Sequence, residues 1–273
     1  MKSASRKFLS TVVTALASVA ILATLLAHYT NHVFVSSATF SGLAVSVVRT
    51  GAVESLLIDT VTDRVVEAVG DQTSVRPLIE DAVRKALSNG QTTLEIRAAA
   101  RSLHSELVSG DANALMLTLP DVGASIASSV EPTSPQLADQ LMHFGTITVV
   151  DVPVPSTATK VAHDLATVGR DSSLLLVFTA AMLSLALIIS PDPRRTLLTL
   201  GLGAATSGLL VVGAYLVGRE LLVNELSAPA ARTAARAAWS VYLGGLESSG
   251  LVLAAIGTVT ASAAALGLSR KRS

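Results

Sequence analysis

The chain contains no cysteine and few aromatic residues: one tryptophan, three tyrosines and five phenylalanines in 273 positions. Without cysteine there are no disulfides, no thiolate metal sites and no cysteine nucleophile. Charge is scarce as well, at 15% of residues, against roughly 25% in ordinary soluble domains. That shortage argues against a water-soluble enzyme. Neither sign of charge prevails, because 20 basic residues face 20 acidic ones. A globally basic nucleic-acid binder is thereby excluded, and no nucleic acid is expected as a partner. What the chain has in quantity is apolar surface, since half of its residues are hydrophobic.

The apolar residues gather in four charge-free runs, over 8–27, 172–190, 196–218 and 248–268. Each approaches the roughly 20 residues a helix needs to cross the hydrocarbon core. Helices of this length in water nearly always keep a polar stripe, which these runs lack. The expectation is four transmembrane helices. MKSASRK ahead of the first run also opens like a signal peptide. However, an apolar run of about 20 residues exceeds the 7–15 of a cleaved core, so a retained anchor is expected.

Basic residues set the orientation. Lys2, Arg6 and Lys7 precede the first run, Arg194 and Arg195 lie between the second and third, and Arg270, Lys271 and Arg272 follow the fourth. These segments alternate correctly for one side, so both termini are expected in the cytoplasm of a multi-pass protein of the cell membrane. The segment 31–171 holds nine basic and sixteen acidic residues, an excess of seven negative charges on the outside.

The expected fold class is a mainly α membrane protein: a four-helix transmembrane bundle plus a mostly helical extracytoplasmic domain with a small two-strand element. In order, we expect a cytoplasmic tail (1–7), the first span (8–27), the extracytoplasmic domain (28–171) and the second span (172–190). A cytoplasmic turn (191–195), the third span (196–218), an outer loop with an interfacial helix (219–247), the fourth span (248–268) and a tail (269–273) complete it.

Within the outer segment, Val53, Leu57, Val61, Val65 and Val69 recur every four residues on one helix, with Glu54, Asp63 and Glu67 off that stripe. A second helix runs from Ser74 as N-cap to a stop at Asn89-Gly90, with Leu78, Ala82, Val83, Ala86 and Leu87 on its apolar face and Pro77 in its first turn. A third spans 92–110 with Leu94, Ile96, Leu103 and Leu107 as its apolar members. The runs 114–119 and 146–152 read as strands bounded by Pro120 and Pro153. Two short helices are expected between them, over 121–130 and 135–144. The segment 156–170 reads as a helical stem to the second span, and 36–48 as an extension of the first. Beyond the third span, 228–243 reads as an interfacial helix, with Arg232 and Arg236 one turn apart and Trp239 and Tyr242 at headgroup level.

No string carries recognisable chemistry. His28, His32, His104, His143 and His163 form no metal-ligand spacing, although His28 and His32 are four apart. Gly123-Ala-Ser125-Ile-Ala127 lacks the last glycine of a nucleophile elbow. Gly201-Leu-Gly203 lies inside a membrane span, not at a strand-to-helix turn. Glu80 and Asp81 stand four residues before Arg84 and Lys85, the spacing of surface ion pairs. The expectation is therefore no catalytic, cofactor-binding or metal residue, no cofactor, and no enzymatic activity. Gly201, Ala204, Ala205, Gly208 and Gly213 in the third span, and Gly250, Ala254, Gly257, Ala261 and Ala265 in the fourth, make small-residue faces. Such faces serve close helix packing, within the bundle or in a homo-oligomer.

Several strings resemble a family of actinobacterial integral membrane proteins to which no activity is attached. They are Thr39-Phe40 leading to VESLLIDTVTDRVVEAV over 53–69, ADQLMHFGTITVV over 138–150, and Asp192-Pro-Arg-Arg195 opening the third span with Gly201-Leu-Gly203. The resemblance implies one N-terminal span, a helical extracytoplasmic segment and three closing spans. It carries no catalytic residue over. The expected role is a non-enzymatic envelope protein whose outer domain binds a protein partner or a lipid. The alternative, on topology alone, is a transporter or a mechanotransmitting permease-like subunit of an ATPase-driven complex.

Overall fold

The computed structural model describes residues 2–69, 75–109, 114–119, 122–143, 147–153, 172–190 and 192–269. The chain forms two compact units. One comprises Met1–Val35, Leu165–Glu225 and Tyr242–Ser273, and the other Ser36–Asp164 with Leu226–Val241. The expected helical stem over 156–170 lies outside the described residues.

The first unit is built from helices α1 (Lys2–Thr30), α8 (Ser172–Ile189), α9 (Pro193–Glu225) and the part of α10 (Pro229–Ser269) from Tyr242 onward. Four stretches in these helices are long and apolar enough to cross a membrane: Val12–Val35, Ser172–Ile189, Pro193–Glu225 and Pro229–Leu266. Their outer surface supports the same reading. Among the described residues, the large hydrophobic side chains left exposed lie on these four helices, apart from Leu94 and Met142. In water so much contiguous apolar surface would drive association, whereas lipid tails cover it without cost.

Small and hydroxyl-bearing residues face inward. On α8 the buried positions are Ser172, Thr179 and Ala186, seven residues apart, a narrow seam that leaves the rest of the helix to lipid. It meets Val13, Ala17 and Ala20 of α1, which are also buried. The Thr24 and Thr179 hydroxyls are 2.7 Å apart, and Thr179 also donates to the Ala20 carbonyl at 3.2 Å. About two turns further along the seam, Asn31 Nδ2 donates to Ser172 Oγ at 3.1 Å. Helices α9 and α10 touch backbone to backbone. A β-carbon on Gly201 would lie 2.7 Å from both the Ala261 nitrogen and the Gly257 carbonyl oxygen. Gly208 meets Gly250 and Ala254 in the same way one heptad on. Gly201, Gly208, Gly250 and Gly257 of the small-residue faces named from the sequence thus pack on each other within the chain, whereas Gly213 has nothing within 4 Å.

Two expectations about the spans need correction. The first span is not simply prolonged by 36–48. A π-helical turn, Asn31–Val35, ends α1, and helix α2 (Ser37–Val48) starts afresh on Ser36, whose Oγ accepts the Thr39 N–H at 3.3 Å. Nor is there a separate interfacial helix before the fourth span. The α9 helix continues to Glu225, and α10 runs unbroken from Pro229 to Ser269. Gly244 and Gly245 sit inside it without interrupting it, because helix hydrogen bonding continues through glycine at a modest conformational cost.

The second unit holds α2, α3 (Gly51–Val69), α4 (Arg76–Ser88), α5 (Gly90–Ser109), α6 (Val122–Val130) and α7 (Pro135–Met142). The backbones of β1 (Ala114–Leu119) and β2 (Ile147–Pro153) pair antiparallel, with a register shift between Leu117 and Thr118. The core combines Val45 of α2, Ile58, Val61 and Val65 of α3, Ile79 and Val83 of α4, Ile96 of α5, Ile126 and Val130 of α6, and Leu141 of α7. α2 and α3, bent by 74° at their junction, together resemble a broken span in composition. Val45, Ile58, Val61 and Val65 of these helices, however, belong to this core.

The α3 stripe is as expected at Leu57, Val61 and Val65, widened by Ile58 and Thr62. On α4 the expected face turns slightly, with Ile79 at its centre and Leu78 and Leu87 at its margins. That helix begins at Arg76 on Val75, not on Ser74, and stops at Asn89 as expected, with Gly90 opening α5 at once. On α5 Ile96 is buried and Leu103 and Leu107 are half-buried as expected, but Leu94 is not on that face. Thr92, Ile96, Ala100 and His104 are buried, whereas Leu94 is 57% exposed. Thr92 tolerates burial because its hydroxyl donates to the Ala86 carbonyl at 2.7 Å.

Candidate functional site

The residues singled out for chemistry do not converge. His28 and His32 are both exposed, and no group of three His, Asp or Glu is placed to hold a metal among the described residues. The His104 ring is buried against Phe40, with centroids 5.2 Å apart. His143 Nδ1 lies 2.9 Å from the Asp139 carbonyl oxygen, one turn earlier. His163 is outside the described residues. Ser125 sits within helix α6 rather than at a strand-to-helix turn, so the elbow reading has no structural counterpart. The ion pairs Arg84–Glu80 and Lys85–Asp81 form at 3.0 and 2.7 Å on the exposed face of α4. The carboxylate oxygens of Glu95 are shielded from solvent and meet no hydrogen-bond donor.

A different set does converge. All three tyrosines of the chain gather at one end of the bundle, Tyr215 near the end of a charge-free run and Tyr29 and Tyr242 just beyond theirs. The Tyr29 hydroxyl of α1 donates to the Tyr242 carbonyl of α10. Phe34 stacks on the Tyr242 ring, 6.5 Å between centroids and 20° between planes. Gly245 lets the Tyr29 ring lie against the α10 backbone, since a β-carbon there would be 3.1 Å from Tyr29 Cε2. Tyr215 of α9 is 5% exposed, and its hydroxyl sits in hydrogen-bond contact with the Glu247 carboxylate and the Arg219 guanidinium. Arg219 in turn pairs with Glu220 at 3.0 Å.

The physical logic is that of a membrane boundary. Each ring supplies apolar area to the bundle while its hydroxyl reaches a polar partner. The charges of Glu247 and Arg219 share one tyrosine hydroxyl, so neither is stranded beside lipid. The arrangement ties α1, α9 and α10 together by side-chain and backbone hydrogen bonds. It acts as a latch among the three helices. Sequence reasoning reached only Tyr242, as half of an aromatic pair with Trp239. Positions 29, 215 and 242 are too far apart in sequence for any local pattern to join them.

The outer unit offers a second feature. A shallow groove of about 170 Å³ lies between α6 and α7, lined by Ala127, Ser128, Glu131, Pro135, Ala138, Asp139 and Met142. Its floor is made by the buried Ala127 and Ala138, and Met142 stands beside it 65% exposed. Glu131 and Asp139 give it an acidic rim.

No protein family, no curated protein and no solved structure matches the chain. The resemblance to the actinobacterial membrane family therefore rests on the strings quoted for it.

Proposed function

We propose that this is a non-enzymatic envelope protein of the cell membrane, with both termini cytoplasmic, whose bundle anchors an outer domain that docks a protein partner. The observation that carries this reading is the outer unit's core. Aliphatic side chains from α2 to α7 fill it, and Val61, Val65, Ile79, Val83, Ile126, Val130 and Leu141 have no measurable exposure. A filled core leaves no room for an enclosed lipid, and recognition then falls to the surface. The α6–α7 groove suits an apolar side chain flanked by basic residues, because an adaptable methionine and two carboxylates surround a small apolar floor.

A photo-crosslinking residue at position 142 of the full chain, in its native membrane, tests the proposal. One protein adduct is expected, lost when Glu131 and Asp139 are replaced by lysine and not formed from position 94. Lipid adducts alone, or the same adducts from both positions, would defeat it. The permease-like alternative gains little from the fold: only residues 190–192 separate α8 from α9, a small handle for a cytoplasmic motor.

A further inference from the structure

Where α8 turns into α9, the flanks of α9 and α10 leave a groove of about 510 Å³. Sites that hold small ligands typically measure roughly 300–1,000 Å³. Arg194, Leu197, Val259, Thr260, Ala263 and Ala264 line it. Ala264 forms part of its floor, and Leu197 and Val259 are its exposed apolar walls, 37% and 68% accessible. Thr260 belongs with the walls, because its hydroxyl donates to the Ile256 carbonyl of its own helix at 2.8 Å. The groove is therefore apolar along the bundle and cationic at its end. There Arg194 and its neighbour Arg195 are both exposed. The one acid of the turn, Asp192, accepts the Arg195 backbone N–H at the start of α9.

We propose that this groove seats an acyl chain of an anionic phospholipid, with Arg194 and Arg195 binding its phosphodiester. The chemistry separates this occupant from its rivals. A free phosphate gains nothing from walls of Leu197 and Val259. A zwitterionic lipid brings an ammonium group to a turn whose one acid, Asp192, is already engaged at the start of α9. An anionic headgroup with a hydrocarbon tail satisfies both ends at once, the usual character of basic pockets between membrane helices. The site is independent of the outer domain's docking surface.

Purified full-length protein in detergent, analysed by native mass spectrometry and thermal unfolding, provides the test. The probes are phosphatidylglycerol, phosphatidylcholine with the same chains, and inorganic phosphate. Phosphatidylglycerol should be retained in preference and should raise the unfolding temperature. Arg194→Gln should weaken its binding about fivefold, and the Arg194→Gln/Arg195→Gln pair roughly twenty-five-fold, one juxtamembrane cation each. Both side chains are exposed, so these variants keep the bundle's packing. Ala263→Phe fills the groove while leaving both cations, and should also release the lipid; Arg194→Lys should retain it. Equal retention of the two lipids, stabilisation by phosphate alone, or undiminished binding by the Ala263→Phe protein would each overturn the assignment.

Discussion

Adding a single carbon at Gly201 should pry α9 from α10. In Gly201→Ala the new methyl would sit 2.7 Å from two backbone atoms of α10, the Ala261 nitrogen and the Gly257 oxygen. Ordinary contact begins near 3.4 Å, so one helix must retreat by more than half an ångström. Neither obstacle is a flexible side chain that could turn aside. A radial gap of 0.5–1 Å forfeits roughly a quarter to a half of each dispersion contact along the seam. Overpacking of this kind costs about 1–3 kcal/mol. Gly213→Ala, on the same helix with nothing within 4 Å, is the control. It should be neutral or gain up to about 1 kcal/mol of helix propensity. The assay is reversible unfolding of the full chain in mixed micelles, with a double-mutant cycle added. Gly257 faces the Gly201 carbonyl. Once one methyl has parted the helices there, a second at Gly257 should cost less, a coupling of about 0.5–3 kcal/mol. Gly250 lies a heptad away along the seam, and its pairing with Gly201→Ala should be closer to additive. Equal stabilities for Gly201→Ala and Gly213→Ala, or full additivity at 201 and 257, would refute the backbone contact.

The outer unit and the orientation yield further expectations. Ile79→Ala should destabilise the protein by about 2–5 kcal/mol, while Leu94→Ser should stay within about 0.5 kcal/mol, as thermal denaturation can measure; the reverse order would mean that the α5 face is misassigned. Replacing Glu95 by methionine removes a shielded carboxylate without a donor and should raise stability by roughly 1–3 kcal/mol, whereas a clear loss would reveal a partner for it. Because the chain has no cysteine, single cysteines report sidedness cleanly. With an impermeant maleimide on intact cells, Ser128→Cys should label and Arg195→Cys should label only after lysis; the opposite pattern would invert the proposed topology.

The spans were legible because a membrane imposes a one-dimensional rule. About 20 residues without charge suffice, and the rule needs no knowledge of neighbours. The glycine faces were legible for a related reason, as close approach selects residue size at fixed spacing. The α3 stripe could be read because valine and leucine marked it alone. On α5 the same reasoning failed. Thr92 and His104 are buried there through partners elsewhere, the Ala86 carbonyl and the Phe40 ring, and hydropathy gives them no credit for that. Leu94 was misread for the converse reason, since a leucine need not be inside. The unbroken α10 was hidden by Gly244, Gly245 and Glu247, which look like a boundary in sequence but continue a helix already braced against Tyr29. The tyrosine latch depends on three distant helices and had no sequence signal beyond Tyr242.

The seam between α1 and α8 has a consequence in time. Some hydroxyls of α1 are self-sufficient: Ser18 donates to the Thr14 carbonyl one turn back. Asn31 and Thr24, by contrast, finish their bonding on Ser172 and Thr179, residues synthesised about 140 positions later. At roughly 5–20 residues per second, a ribosome takes on the order of ten to thirty seconds to deliver them. For that interval α1 lacks its partner helix while the segment between them is still being made. Its mate arrives together with α9, only three residues behind, so the bundle closes in one late event.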